Sequence, residues 1–307
     1  MKKKKVKIII IILTVLLIPI FFVLKNFLEP KPIYNEPKIK LYLSKQDQVI
    51  ELLLEDYIVG TVVAEMPASF EEEALKAQAV CARTYALRKL LDNKKYPQNA
   101  DLSDDIYSCQ AYISEEQYKK LHPGFANMYS KVKDAVEATR GEIIMFKEQP
   151  IDALYHSTCG GRTESASEVW GQDIPYLRSV KCEYCKESRY YSYVQVFSVQ
   201  EFNRSLALGN KTPVLKDSQK TDAGRIKKIT INDKEISGEK LRQKLGLPST
   251  WCGFNIDDTK VEIRSRGYGH GLGLCQYGAN GMAAEGKKYH QIIKKYYHGV
   301  EFYRINY

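Results

Sequence analysis

The sequence predicts an α+β protein: a single compact mixed α/β ectodomain behind one N-terminal transmembrane helix. Three observations carry this. A lysine-rich start leads into an uncharged apolar run from Ile8 to Leu24. Short β-patterned stretches then interleave locally with helical ones. Finally, "FEEEALKAQAVCARTYALRKLL" reads as one strong helix, slim enough through its alanines to pack closely inside a fold. The 307 residues, 44% of them hydrophobic, suffice for one large domain or two ordinary ones.

Residues 1–5 are a basic cytoplasmic tail, and residues 6–28 are long and apolar enough to cross a bilayer despite Pro19. A signal peptide shares the basic start and apolar middle, but no small-x-small cleavage site follows, so the expectation is an uncleaved anchor. Lysines 2 to 5 and 7 keep the N-terminus in the cytoplasm and place the rest outside. Of the net charge of +9, six lysines in residues 1–28 account for all but +3. The exterior portion is therefore too weakly basic for a nucleic-acid binder. Proline-rich residues 29–38 are a stiff linker, and residues 39–307 form the ectodomain.

Within it, "IKLYL" and "VIELLL" read as a hairpin. "EDYIVGTVVAEM" reads as a helix ending at the Met66–Pro67 step, because proline disfavours helical geometry in the residue before it. Ser69 and Glu72 have capping-box spacing ahead of the alanine-rich helix. "ANMYSKVKDAVEATRG" is a further helix ending on Gly141, and "EIIMF" and "IDALYHS" are strands around "KEQP". A loop-rich section follows, with short elements up to a glycine-rich segment, "RSRGYGHGLGLCQYGANG".

Glu65 is the first candidate for chemistry. It stands among Val62, Val63, Ala64 and Met66, apart from the cluster Glu71 to Glu73. An apolar setting disfavours the carboxylate, so such an acid holds its proton toward neutral pH and can protonate a leaving oxygen. A plainer alternative is a helix-end carboxylate paired with Lys76 or Arg83. Those two cations lie two turns apart, about 10 Å along one helix face, and a packed helix obliges each to find an anionic partner.

The cysteines number seven, at 81, 109, 159, 182, 185, 252 and 275. Cys81 and Cys275 read as small buried residues. His156, Cys159, Cys182 and Cys185 form H-x2-C followed by C-x2-C, a set that suits tetrahedral zinc, with disulfides or free thiols as the alternatives. No organic cofactor is expected. The glycine-rich segment lacks the lysine–serine or lysine–threonine ending of a phosphate loop. It presents His270, Gln276 and Tyr277 where another polymer could approach closely.

Taken together, "YIVGTVVAEMPASFEEEALKAQAVCARTYAL", "YHSTCGGRTESASEVWG" with "PYLRSV", and "RGYGHGLGLCQYGANGMA" resemble the stage II sporulation protein D family over nearly the whole ectodomain. The resemblance implies a lytic transglycosylase, a lyase that cuts peptidoglycan glycan strands at the muramic acid–glucosamine linkage during engulfment in sporulation. It implies Glu65 as the catalytic acid and base. It also implies Lys76, Arg83, Ser157, Thr158, His270 and Gln276 as glycan-contacting residues, and leaves His156 open between sugar contact and metal ligand. The expected substrate is glycan stripped of its stem peptides, whose bare lactyl carboxylate Lys76 and Arg83 would read. Implied partners are an amidase (stage II sporulation protein P) and a membrane protein (stage II sporulation protein M). The implied location is the mother-cell membrane facing the forespore. Two other readings stand beside it: a tethered glycan-binding scaffold that activates a partner amidase, and a zinc amidase using His156 and the cysteines.

Overall fold

The structure, a computed structural model, describes residues 35–307. The expected tail, anchor and most of the linker lie outside the described residues. Among the described residues no helix is long and apolar enough to cross a membrane. Strands Lys38–Leu43 and Gln48–Leu53 pair antiparallel with Leu41 opposite Ile50. The strand period turns Ile39 and Leu41 into the core. The second strand runs directly into the helix Leu54–Glu65. That helix stops at Met66, whose backbone is extended (ψ 140°), as Pro67 requires.

The long helix spans Glu72–Leu91. Its N-cap is Glu71, so the expected Ser69–Glu72 capping box is not formed. Pro67 to Phe70 instead close a turn of their own, with the Phe70 N–H on the Pro67 carbonyl. Ala74, Ala77, Ala79, Ala82 and Ala86 are wholly buried. Their small size lets the helices Leu54–Glu65, Ala126–Ala138 and Gln276–Ala284 pack against this one.

Arg83 sits at the centre of that packing with no solvent exposure. Its Nε and Nη2 donate to the two oxygens of Glu55, at 2.8 and 2.6 Å. Nη1 donates to the Glu142 carbonyl and Nη2 also to the Val136 carbonyl. Glu55 in turn accepts the Gly141 N–H at 3.1 Å. One ion pair thus ties together the start of the first helix, the long helix, the end of Ala126–Ala138 and the next strand.

That strand, Glu142–Phe146, pairs chiefly with Glu301–Arg304 at the far end of the described chain, Ile144 opposite Phe302. Within "IDALYHS" only Tyr155–His156 is a strand, and its partner is Leu274–Cys275, in parallel. A second hydrophobic core lies in residues 193–265. Lys260–Ser265 runs between Cys252–Ile256 and Tyr193–Ser198, and Ile226–Ile231 between Leu215–Lys220 and Lys234–Ser237. Phe202, Ile229, Ile231, Leu241, Val261 and Ile263 fill it.

Removing one charge of the Arg83–Glu55 pair strands the other in the interior. Arg83→Met is expected to lower unfolding stability in urea by about 3–5 kcal/mol, and adding Glu55→Met should recover part of that loss. An unchanged midpoint for Arg83→Met would exclude the structural role.

Candidate active site

Glu65 is the last residue of its helix, where the backbone leaves helical geometry and the side chain can project beyond the packed surface. It opens onto a cavity of about 330 Å³ lined also by Tyr155, Ser157, His270, Gln276 and Gln110. Glu65 is the one carboxylate among the lining residues. Its residue keeps partial access to solvent through the cleft, while the protein around it withdraws the carboxyl from bulk water.

Burial therefore raises the Glu65 pKa above its ordinary value, offset in part by the Ala111 N–H. The Ala111 N–H lies 2.7 Å from Oε1. Gly60 makes that bond possible: a Cβ there would stand 2.3 Å from the Tyr112 ring, so only glycine lets the chain at 110–113 lie against the helix. Tyr155 donates its single hydroxyl proton to Gln110 Oε1 at 2.8 Å, and Gln110 Nε2 reaches the Tyr57 hydroxyl at 3.1 Å. A buried polar chain therefore runs away from the acid.

The opposite wall is the glycine-rich segment. Its close approach to the Leu154–Cys159 backbone explains the glycines: at Gly269 (φ +107°) a Cβ would sit 2.9 Å from His156 Cβ, and at Gly273 1.9 Å from the Leu154 carbonyl oxygen. Parallel pairing of Tyr155–His156 with Leu274–Cys275 sets the two motifs side by side. His270 is exposed on this wall, its Nδ1 accepting the Leu272 N–H at 3.0 Å. Gln276 is buried behind it and donates to Gln78 on the long helix at 3.4 Å.

His156 is buried and not a companion of the cysteines. Its Nδ1 donates to the Leu272 carbonyl at 2.9 Å, and its buried Nε2 has no partner among the described residues. Burial, reinforced by neighbouring His270, pulls its pKa down to about 3, so the ring is neutral with Nε2 an acceptor beside the cleft. The place expected for His156 among the sulfurs is taken by Cys275, which lies with Cys159, Cys182 and Cys185.

The two expected cations do not reach the cavity. Arg83 is committed to Glu55, and Lys76 is held by Glu72 at 2.6 Å and Glu73 at 3.3 Å. Neither lines the cleft. Thr158 is also out of reach: it is buried behind the floor, its hydroxyl against Ser188 at 2.6 Å. Tyr155, Gln110, Ala111 and Gln78 are site residues that sequence reasoning missed. The one available signal was "YSCQAY", a glutamine and a cysteine set between tyrosines in an otherwise irregular stretch.

The family model described as "SpoIID: Stage II sporulation protein" matches residues 42–146, which include Glu65 and Gln110. The chain is 37% identical over 277 residues to stage II sporulation protein D of Bacillus amyloliquefaciens, covering 89% of this chain and 80% of that protein. It is 38% identical over 267 residues to stage II sporulation protein D of Bacillus subtilis, covering 86% and 78%. It is also similar to a Bacillus subtilis protein named amidase enhancer, 29% identical over 302 residues, covering 78% of this chain and 39% of that one.

A folded-state pKa raised above the unfolded one means that the native protein holds the Glu65 proton longer than the unfolded chain does. The associated stability is complete below the unfolded carboxyl's pKa and falls as pH rises toward the folded value. Glu65→Gln removes that loss. Urea unfolding should find the variant more stable than wild type at pH 7–8, with the gap closing near pH 4. A gap independent of pH would contradict a raised pKa.

Proposed function

The chain belongs to the stage II sporulation protein D family, a sporulation family, and on that premise we propose that it is a membrane-anchored lytic transglycosylase acting on peptidoglycan glycan strands. The observation that carries the reading is the solitary raised-pKa carboxyl in the cleft. A glycoside hydrolase of the usual kind sets a second carboxylate opposite the first, as nucleophile or as base for water. No second carboxylate lines the cavity around Glu65 itself, and this favours a nucleophile supplied by the sugar.

Glu65 protonates the glycosidic oxygen, and the C1–O bond to the leaving sugar breaks. The C6 hydroxyl of the same muramic acid attacks C1, closing a 1,6-anhydro ring, and passes its proton to the Glu65 carboxylate. No water is consumed and the acid ends as it began. Between the two transfers Glu65 is an anion, held by the Ala111 N–H. The Tyr155 hydroxyl can turn from Gln110 to meet it. Ser157, His270, Gln276 and the acceptor Nε2 of His156 supply contacts for sugar hydroxyls.

Beyond His270 the cleft continues into a groove lined by Tyr190, Tyr193, Tyr268 and Arg242. Arg242 is itself paired with Glu239, which shares this groove, but at 3.8 Å, a looser contact than those that hold Lys76 and Arg83, so it is the cation we assign to the lactyl carboxylate of a stripped muramic acid. The anchor at residues 6–28 would hold the cleft outside the membrane, with a sporulation amidase (stage II sporulation protein P) and a membrane protein (stage II sporulation protein M) as partners. The relative named amidase enhancer supports a second reading, in which the cleft binds glycan and the protein stimulates an amidase.

Purified protein incubated with peptide-stripped strands should yield 1,6-anhydro ends by mass spectrometry, and Glu65→Gln should lower the rate by roughly 10²–10⁴-fold. Ordinary reducing ends would make it a hydrolase, and intact strands would favour the amidase-stimulating reading. Arg242→Gln should raise KM for stripped strands by about ten-fold with kcat kept, the loss of one charged contact. An unchanged KM would remove Arg242 from carboxylate recognition.

A further inference from the structure

Outside the lining of the cleft, four cysteines from three separated stretches converge. Cys159 follows the strand Tyr155–His156, Cys182 and Cys185 belong to the loop "CEYC", and Cys275 precedes the helix Gln276–Ala284. All four are fully buried, and their Sγ atoms all lie within 4.8 Å of one another. Cys159 Sγ and Cys185 Sγ are 3.5 Å apart, far beyond a covalent S–S bond of about 2.05 Å. A tetrahedron of sulfurs around a zinc ion, at about 2.3 Å each, has edges of roughly 3.8 Å.

Donors surround three of the four sulfurs. Backbone N–H groups point at them: Gly161 to Cys159 Sγ at 3.4 Å, Cys159 to Cys275 Sγ at 3.2 Å, and Gly278 to Cys275 Sγ at 3.3 Å. The Tyr296 hydroxyl lies 3.2 Å from Cys182 Sγ. A neutral thiol is a weak acceptor, whereas a metal-bound thiolate is a strong one that such donors orient. Gly278 is required on geometric grounds, since a Cβ there would come within 2.7 Å of Cys182 Sγ. The buried guanidinium of Arg225, paired with Glu164 at 3.3 Å, donates to the Cys159 carbonyl at 2.8 Å and so fixes the backbone that carries one of the four sulfurs.

We infer that Cys159, Cys182, Cys185 and Cys275 bind one zinc ion in a closed tetrathiolate site that locks the two cleft-forming segments together. With four protein ligands the site has no place for water and is structural. Its use lies in its neighbours: Cys159 is two residues from Ser157, and Cys275 is adjacent to Gln276, so the ion fixes the spacing of the cleft floor and its glycine-rich wall. The inference stands whether or not the cleft cuts glycan.

The test uses the full chain in detergent, purified without chelators, with elemental analysis by mass spectrometry. One zinc per chain is expected, released when the thiols are titrated with an organomercurial. In a separate sample, denatured with chelator but without reductant or mercurial, all seven cysteines should react with maleimide, whereas two disulfides would leave only three reactive. Cobalt(II) exchanged into the site should give the intense sulfur-to-metal charge-transfer bands of a CoS4 centre. His156→Ala and Cys252→Ser should keep the zinc, and Cys275→Ser or Cys185→Ser should lose it. Metal-free protein that does not take up zinc under reducing conditions, iron in place of zinc, disulfide-linked cysteines, or zinc lost with His156→Ala but kept with Cys275→Ser would each overturn the inference.

Discussion

Keeping a single carboxyl short of both water and cations is the constraint that the architecture around Glu65 serves. A cation at hydrogen-bond distance would hold the carboxyl ionised and end its use as an acid. The chain nonetheless carries Lys76 and Arg83 on the very next helix, and the fold disposes of both. Arg83 is drawn into the interior by Glu55, and Lys76 is drawn to the helix start by Glu72 and Glu73. What reaches Glu65 instead is neutral: the Ala111 N–H donates to it, and the Tyr155 hydroxyl stands near, turned to Gln110. These can serve the proton-loaded and the emptied acid alike.

The opposite wall depends on a different device. The motifs around Ser157 and Gln276 are far apart in sequence, and a two-residue parallel pairing alone is a weak tie between them. Glycines bring the backbones together, the Arg225–Glu164 pair fastens the second core behind them, and the four sulfurs gather at the junction. The cleft is thus held rigid from outside its lining, which leaves the lining free to be polar. Preorganisation of this kind matters most where the reacting hydroxyl belongs to the substrate, because the sugar itself must be held in the reacting geometry.

Local features were the ones legible in the residues. The helix stop at Met66–Pro67, the first hairpin and the alanine-rich helix follow from proline sterics, strand alternation and side-chain volume, each readable within a dozen residues. Glu65 stood out because its neighbours are apolar. Pairings between distant segments were not legible. Nothing in Arg83's own helix shows that Glu55 lies beneath it, so a packed cation looked like a ligand. The spacing H-x2-C suggested His156 as the fourth companion of the cysteines. The parallel register that puts Cys275 opposite His156 is set by a strand far along the chain, and His156 turns instead to the Leu272 carbonyl. Gln110 was invisible for the same reason, being defined by Tyr57 and Tyr155 rather than by its own stretch.

Everything about this cleft turns on Glu65 keeping its proton to a higher pH than an exposed glutamate does. Carbon-13 NMR of carboxyl-labelled protein, with the Glu65 signal identified by its disappearance in Glu65→Gln, reads that property without substrate. The account predicts a titration midpoint clearly above the ordinary glutamate value of about 4.3. A midpoint at or below that value would mean an ionised, solvated or cation-paired carboxylate, and would contradict it.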